Sequence, residues 1–185
     1  GETVYMRRLD PVRARLENVP LAESGFRFGD IVLHDGASTG RRTYGEREVP
    51  VFNAMQRLQQ SDMATYAVFV QCGSPDDIAA LRAMTLPGIG LVEDWTHSVR
   101  HLCLRCSYGA PHQHDDDSHE DDGGWVRERN LGIAAQGRAA VEKLMSAWAA
   151  AGTGRTLDAI EHREHPQQGP QPGQVWWLGH EQADA

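Results

Sequence analysis

Cys103-Leu104-Arg105-Cys106 is the stretch of this sequence whose spacing most directly carries chemistry. A Cys-x-x-Cys turn aims two thiolates at one ion, and imidazoles commonly complete a tetrahedral zinc site with Zn–S distances of about 2.3 Å. Two histidines follow in Tyr108-Gly109-Ala110-Pro111-His112-Gln113-His114, and the Gly-Ala-Pro turn can fold the chain back toward the cysteines. Cys103, Cys106, His112 and His114 are therefore the first expected zinc ligands. Only five residues separate Cys106 from His112, shorter than the usual finger spacing of about a dozen. The second pair of ligands can instead come from upstream. If His97 to Cys103 is extended, His97, His101 and Cys103 share one face by period-two alternation, so His97 and His101 are the alternates.

Other chemistries for the same cysteines meet specific obstacles. A redox dithiol needs a thiolate of lowered pKa, usually at a helix N-terminus, but Ser107-Tyr108-Gly109-Ala110-Pro111 does not begin a helix. Ser107 stands where a c-type haem motif requires histidine. No His-x-Glu precedes a Pro-Cys-x-x-Cys, so the zinc-deaminase pattern is absent. The bland alternative is a pair of reduced thiols with exposed histidines in a polar loop.

Gly36-Ala37-Ser38-Thr39-Gly40 matches the G-x-S-x-G nucleophile elbow literally, but that elbow requires a helix directly afterwards. Arg41 to Pro50 carries a glycine, a proline and no apolar stripe, which argues against a serine hydrolase. Cys72 ends an apolar run before a capped helix and is most economically a buried structural thiol. Asp94 and His97, three apart, form a conceivable acid/base or ligand-orienting pair.

The charge distribution points to the same region. The chain has 185 residues and a net charge of −8, and Asp115, Asp116, Asp117, Glu120, Asp121 and Asp122 supply six of its 26 acids; without them, 18 bases face 20 acids and the balance is −2. A nearly neutral body thus carries one acidic loop, interleaved with His119, beside the cysteines. Such a run is ordinarily a solvated loop, although carboxylates and imidazole can also take up divalent ions. Lys143 is the only lysine, and the seventeen arginines are dispersed rather than gathered in a stripe. That pattern disfavours nucleic acid as a partner and leaves a protein or a small molecule as the expected one.

The elements that must position these residues follow from periodicity and stop signals. Asp10-Pro11 predicts a short helix near Val12 to Glu17, and Ile31 to Leu33 reads as a brief strand. Val51, Phe52, Met55 and Leu58 fall at helical spacing, predicting a helix to about Gln60. Thr65 to Cys72 is the clearest strand. Ser74-Pro75-Asp76-Asp77 opens the clearest helix, which Leu86-Pro87-Gly88 stops. Ile89 to Val92 resumes as a strand. Asn130 to Ala151 is the longest expected helix, with Val141, Leu144, Met145 and Trp148 on one stripe. Thr156 to Glu161 and Gln174 to Leu178 read as further strands.

Together these predict an α+β fold: a small mixed or antiparallel sheet packed with about three helices, with an inserted Cys/His knuckle and acidic loop. Residues 1–165 are expected to form a single domain, and residues 166–185 a Pro/Gln/Gly-rich loop with a C-terminal strand or tail. No apolar run approaches the roughly 20 residues of a membrane helix, and Gly1 to Asp10 lacks a signal-like segment, so a cytoplasmic protein is expected. The functional expectation is a zinc-binding protein whose structural Cys/His site supports a binding or regulatory surface. The alternatives are a zinc-dependent hydrolase with Glu93 or Asp94 as base, and a metal sensor or carrier using the Asp/His-rich loop.

Overall fold

A computed structural model of the chain describes residues 4–44, 46–97 and 124–162. Its N-terminal part is a meander of short strands, and a tight turn shows why the chain reverses so early. The Asp10 carboxylate accepts from the Val12 and Arg13 backbone N–H groups at 3.0 and 2.8 Å. This Asx turn joins β1 (Met6–Arg8) to β2 (Arg13–Leu16). A side chain capping the next N–H groups is the same signal that starts a helix, which is why a helix over Val12 to Glu17 is a wrong expectation. The Arg13-Ala14-Arg15-Leu16 alternation, with Ala14 and Leu16 buried, is the strand signature that prevails.

Strands β1, β2, β3 (Ile31–His34) and β6 (Ala54–Gln59) form one antiparallel sheet in the order β1-β2-β3-β6. Between β3 and β6 the chain projects a two-stranded hairpin, β4 (Gly40–Tyr44) and β5 (Arg47–Val51). The helix expected through Met55 and Leu58 is likewise a strand: β3 needs a partner, and β6 supplies it through a register broken at two places. Those breaks erase the clean alternation that would have marked a strand.

The C-terminal part is a β-α-β-β-α-β unit. It runs β7 (Ala64–Gln71), α1 (Pro75–Ala83), β8 (Ile89–Asp94), β9 (Glu128–Ala135), α2 (Arg138–Ala150) and β10 (Thr156–His162). The sheet order β10-β7-β9-β8, antiparallel throughout, is the split βαβ arrangement. The helix expected from Asn130 begins only after Gly137, and the preceding residues form a central strand. A strand covered on both faces reads as a continuous apolar run, which periodicity alone does not separate from a helix. Gly132 is needed there: a Cβ at this position would lie 2.1 Å from the Trp95 indole.

Each face of this sheet is buried. Val68, Val70, Leu131 and Ile133 meet Leu81 of α1 and Val141, Leu144, Met145 and Trp148 of α2. Each such side chain contributes about 1.5–3 kcal/mol when fully buried. Phe69, Ala67, Ala134 and Trp95 on the opposite face are covered by Val19, with Leu21, Phe28 and Met63 against them, so the segment after β2 ties the two sheets together. The Asp77 carboxylate accepts from the Gly73 and Ser74 N–H groups and from Arg155 Nε at 2.7 Å, anchoring the start of α1. The α+β expectation with about three helices is corrected accordingly: the described residues are mostly β, 41% strand and 19% helix, with two α-helices packed against three antiparallel sheets. Among the described residues no helix is long and apolar enough to cross a membrane.

Candidate functional site

The expected knuckle interrupts the β8–β9 hairpin, so whatever residues 98–123 do, their two ends are delivered by these strands. Cys103, Cys106, His112, His114 and the alternate His101 lie outside the described residues, as does the acidic run 115–122. The alternate His97 is described and exposed, two residues beyond Trp95 at the end of the stem. Among the described residues no group of three or more His, Cys, Asp or Glu side chains is placed to share a metal. Nothing inside the described fold therefore supplies a ligand set to compete with the Cys/His segment.

The stem is braced by a buried ion pair. Arg129, at the start of β9, is 5% exposed. It donates through Nε to Asp94 Oδ2 at 3.1 Å and makes a second bond to the same oxygen through its terminal nitrogen. A guanidinium this buried needs a carboxylate partner, since an unpaired buried charge is far more costly than a paired one. Asp94 Oδ1 accepts from the Thr96 hydroxyl at 2.6 Å and from its N–H at 3.0 Å. The Thr96 oxygen in turn accepts from the Asn130 N–H, and the Trp95 N–H donates to the Asn130 carbonyl at 2.7 Å. Burial pushes the Asp94 carboxyl up, but the hydrogen bonds from Thr96 and Arg129 together with the guanidinium charge outweigh it and hold the group below its ordinary range.

The other flank rests on an aromatic. The Arg129 guanidinium lies 4.3 Å from the Trp125 ring, and the Trp125 indole N–H donates to the Cys72 carbonyl at 3.1 Å. Asp94 and Thr96 before the segment and Trp125 and Arg129 after it thus converge on one spot at the end of the sheet. Sequence reasoning missed Arg129 and Thr96. The available signal was an arginine two residues before the apolar run from Leu131 to Ala135, at the edge of a segment expected to be buried.

The catalytic alternatives find little to work with among these groups. Glu93 accepts from the Asn18 side chain and from the Val19 N–H, both at 2.8 Å, and Asp94 is committed to Arg129 and Thr96, so neither is a free base. Ser38 is followed by strand β4 and not by a helix, and its hydroxyl donates to the Gly40 carbonyl at 2.7 Å, which removes the nucleophile-elbow geometry. Cys72 is fully buried; burial, and then the nearby Asp77 charge, push its thiol up, the reverse of an activated thiolate. A groove of about 670 Å³ runs between edge strands β1 and β8 and the end of α1, with Glu93 on its wall.

Compared with known proteins, the chain matches no family model, no curated protein and no solved structure.

Proposed function

We propose that this chain is a cytoplasmic zinc-binding module in which Cys103, Cys106, His112 and His114 form a structural Cys/His knuckle carried by the β8–β9 hairpin. The knuckle supports a binding or regulatory surface for a protein or small molecule. The observation that carries this reading is the braced stem: the Asp94–Arg129 pair and the Thr96–Asn130 bond hold the two ends of residues 98–123 side by side. Joining the ends of a ligand-bearing segment in advance removes part of the ordering cost of closing it around an ion. Reduced thiols are required for this ligand set, which is the basis for placing the protein in a reducing compartment. A hydrolytic role has less support, because the two acids nearest the stem are already bonded within the fold.

Metal analysis of untagged protein tests the proposal. About one zinc per chain is expected in the native protein, in line with a single four-ligand site, and its loss in the Cys103→Ser/Cys106→Ser variant. Absence of metal from both forms, or equal metal in both, overturns it. Four protein ligands in the coordination shell support a structural site, whereas three ligands and a water favour the hydrolytic reading.

A further inference from the structure

The β4–β5 arm leaves the fold between His34-Asp35 on one stem and Phe52-Asn53 on the other. His34 is 2% exposed, and its ring lies 4.8 Å from that of Phe52. Its Nδ1 accepts the Gly36 backbone N–H at 3.1 Å, so Nε2 carries the ring proton, and that buried N–H has no partner among the described residues. Beside it, the Asp35 N–H donates to the Asn53 carbonyl at 3.3 Å, and the Asn53 amide donates to Asp35 Oδ2 at 3.0 Å. Gly36 has φ +71°, the left-handed turn that lets its N–H point back at the imidazole.

We propose that His34 is an acid-sensitive latch on the β4–β5 arm: adding a proton at Nδ1 breaks the Gly36 bond and frees the arm's root. The proton turns the acceptor into a donor facing another donor, and it places a cation where the second ring N–H already lacks an acceptor. The surrounding charged groups offer little compensation. The neighbouring Asp35 carboxylate is engaged through Oδ2 by the Asn53 amide. From the β1–β2 turn, Arg8 lies 5.5 Å from the Phe52 ring, with a guanidinium nitrogen donating to the Pro11 carbonyl, and Asp10 is occupied by Val12 and Arg13. From β6, Arg57 turns to the Gly25 carbonyl and Asp30. Among the described residues the arm pairs with no further strand: it is a two-stranded sheet, marginal by itself in water.

Amide hydrogen exchange on the full chain between about pH 7.5 and 5, corrected for intrinsic exchange chemistry, tests the latch. The neutral ring is the form the latch holds. Protection of the Asp35, Gly36 and Thr39 amides is therefore present at the upper end and falls with acid, approaching about tenfold per pH unit, the one-proton slope. Amides of Val68 and Leu131 stay protected throughout. His34→Asn keeps an acceptor near Nδ1 without a titrating group and should hold the root's protection flat with pH. Unchanged protection in the native protein, parallel loss in the central strands, or a His34→Asn profile that follows the native one overturns the latch. If that variant does not fold, ring nitrogen chemical shifts decide: a second proton on His34 that appears together with Gly36 exchange supports the latch, and an imidazole still singly protonated while Gly36 is released overturns it.

Discussion

Among the described residues two strand pairs serve as stems, β8–β9 at the ends of residues 98–123 and the pair at the root of the β4–β5 arm, and they are made of opposite chemistry. The stem of residues 98–123 is closed by a buried guanidinium–carboxylate pair, a hydroxyl relay to the opposite strand and an aromatic shelf. The stem of the β4–β5 arm is closed by a neutral imidazole, an aspartate–asparagine pair and a ring contact, and two of its buried polar atoms, His34 Nε2 and Asp35 Oδ1, have no partner among the described residues. The first extends the central sheet, where strand pairing and two hydrophobic layers hold its ends in place. The second hangs from the last residue of a short strand in a sheet whose buried cluster, among the described residues, is Ala14, Leu16 and Val32 with Val4, Met6 and Phe26 packed against it. A charge-paired brace suits the proposed zinc knuckle, and a neutral imidazole suits the proposed latch.

The comparison breaks most visibly at Arg129. Replacing it with alanine leaves the Asp94 carboxylate poorly solvated and without its cation, so a loss of about 3 kcal/mol in urea unfolding is expected, whereas an Asp94→Leu/Arg129→Met double variant should recover much of it. A loss under 1 kcal/mol for Arg129→Ala would mean the brace is ornamental.

Gly132→Ala attacks the same stem sterically. With no room between β9 and the Trp95 indole, overpacking of about 2 kcal/mol is expected, accompanied by a changed tryptophan emission.

The proton-linked part of the brace is smaller. Because the folded Asp94 carboxyl is held below its ordinary value, its contribution is present above about pH 4, where the unfolded carboxyl ionises, and is lost as pH falls through the folded value. Acid unfolding of native protein should therefore show a component below about pH 4 that Asp94→Asn lacks.

Phe52→Ala should have the least effect on global stability, about 1 kcal/mol, because the ring is only half-buried. Its signature is a local loss of exchange protection confined to residues 35 to 53. Loss of protection in the central sheet as well would show that the arm's stem is not an independent unit.

What was legible in the sequence divides along physical lines. The β7–α1–β8 run was readable because each boundary carries its own chemistry: a β-branched and aromatic strand, then Ser74-Pro75-Asp76-Asp77 with Asp77 reaching back to Gly73 and Ser74, then the Leu86-Pro87-Gly88 stop. The stripe Val141, Leu144, Met145 and Trp148 was readable for the same reason, and all four are buried. The elements that were misread are those whose local signal has two solutions. Asp10-Pro11 suits a helix cap and an Asx turn alike, and Leu131 to Ala135 suits a buried helix and a central strand alike. Only strand pairing, between residues far apart in the chain, chooses between them.

For the candidate site the division is sharper. Residue identity alone nominated the groups proposed to bind zinc, since Cys-x-x-Cys with nearby histidines is a matter of ligand type and spacing, and it localised most of the net charge to one segment. The tertiary structure decided what stands at the base of that segment. Arg129 and Asp94 are 35 residues apart, and no local pattern announces a pair whose members meet only because β8 and β9 lie side by side. Burial then makes the pairing obligatory, because a guanidinium without its carboxylate would not be held in that site.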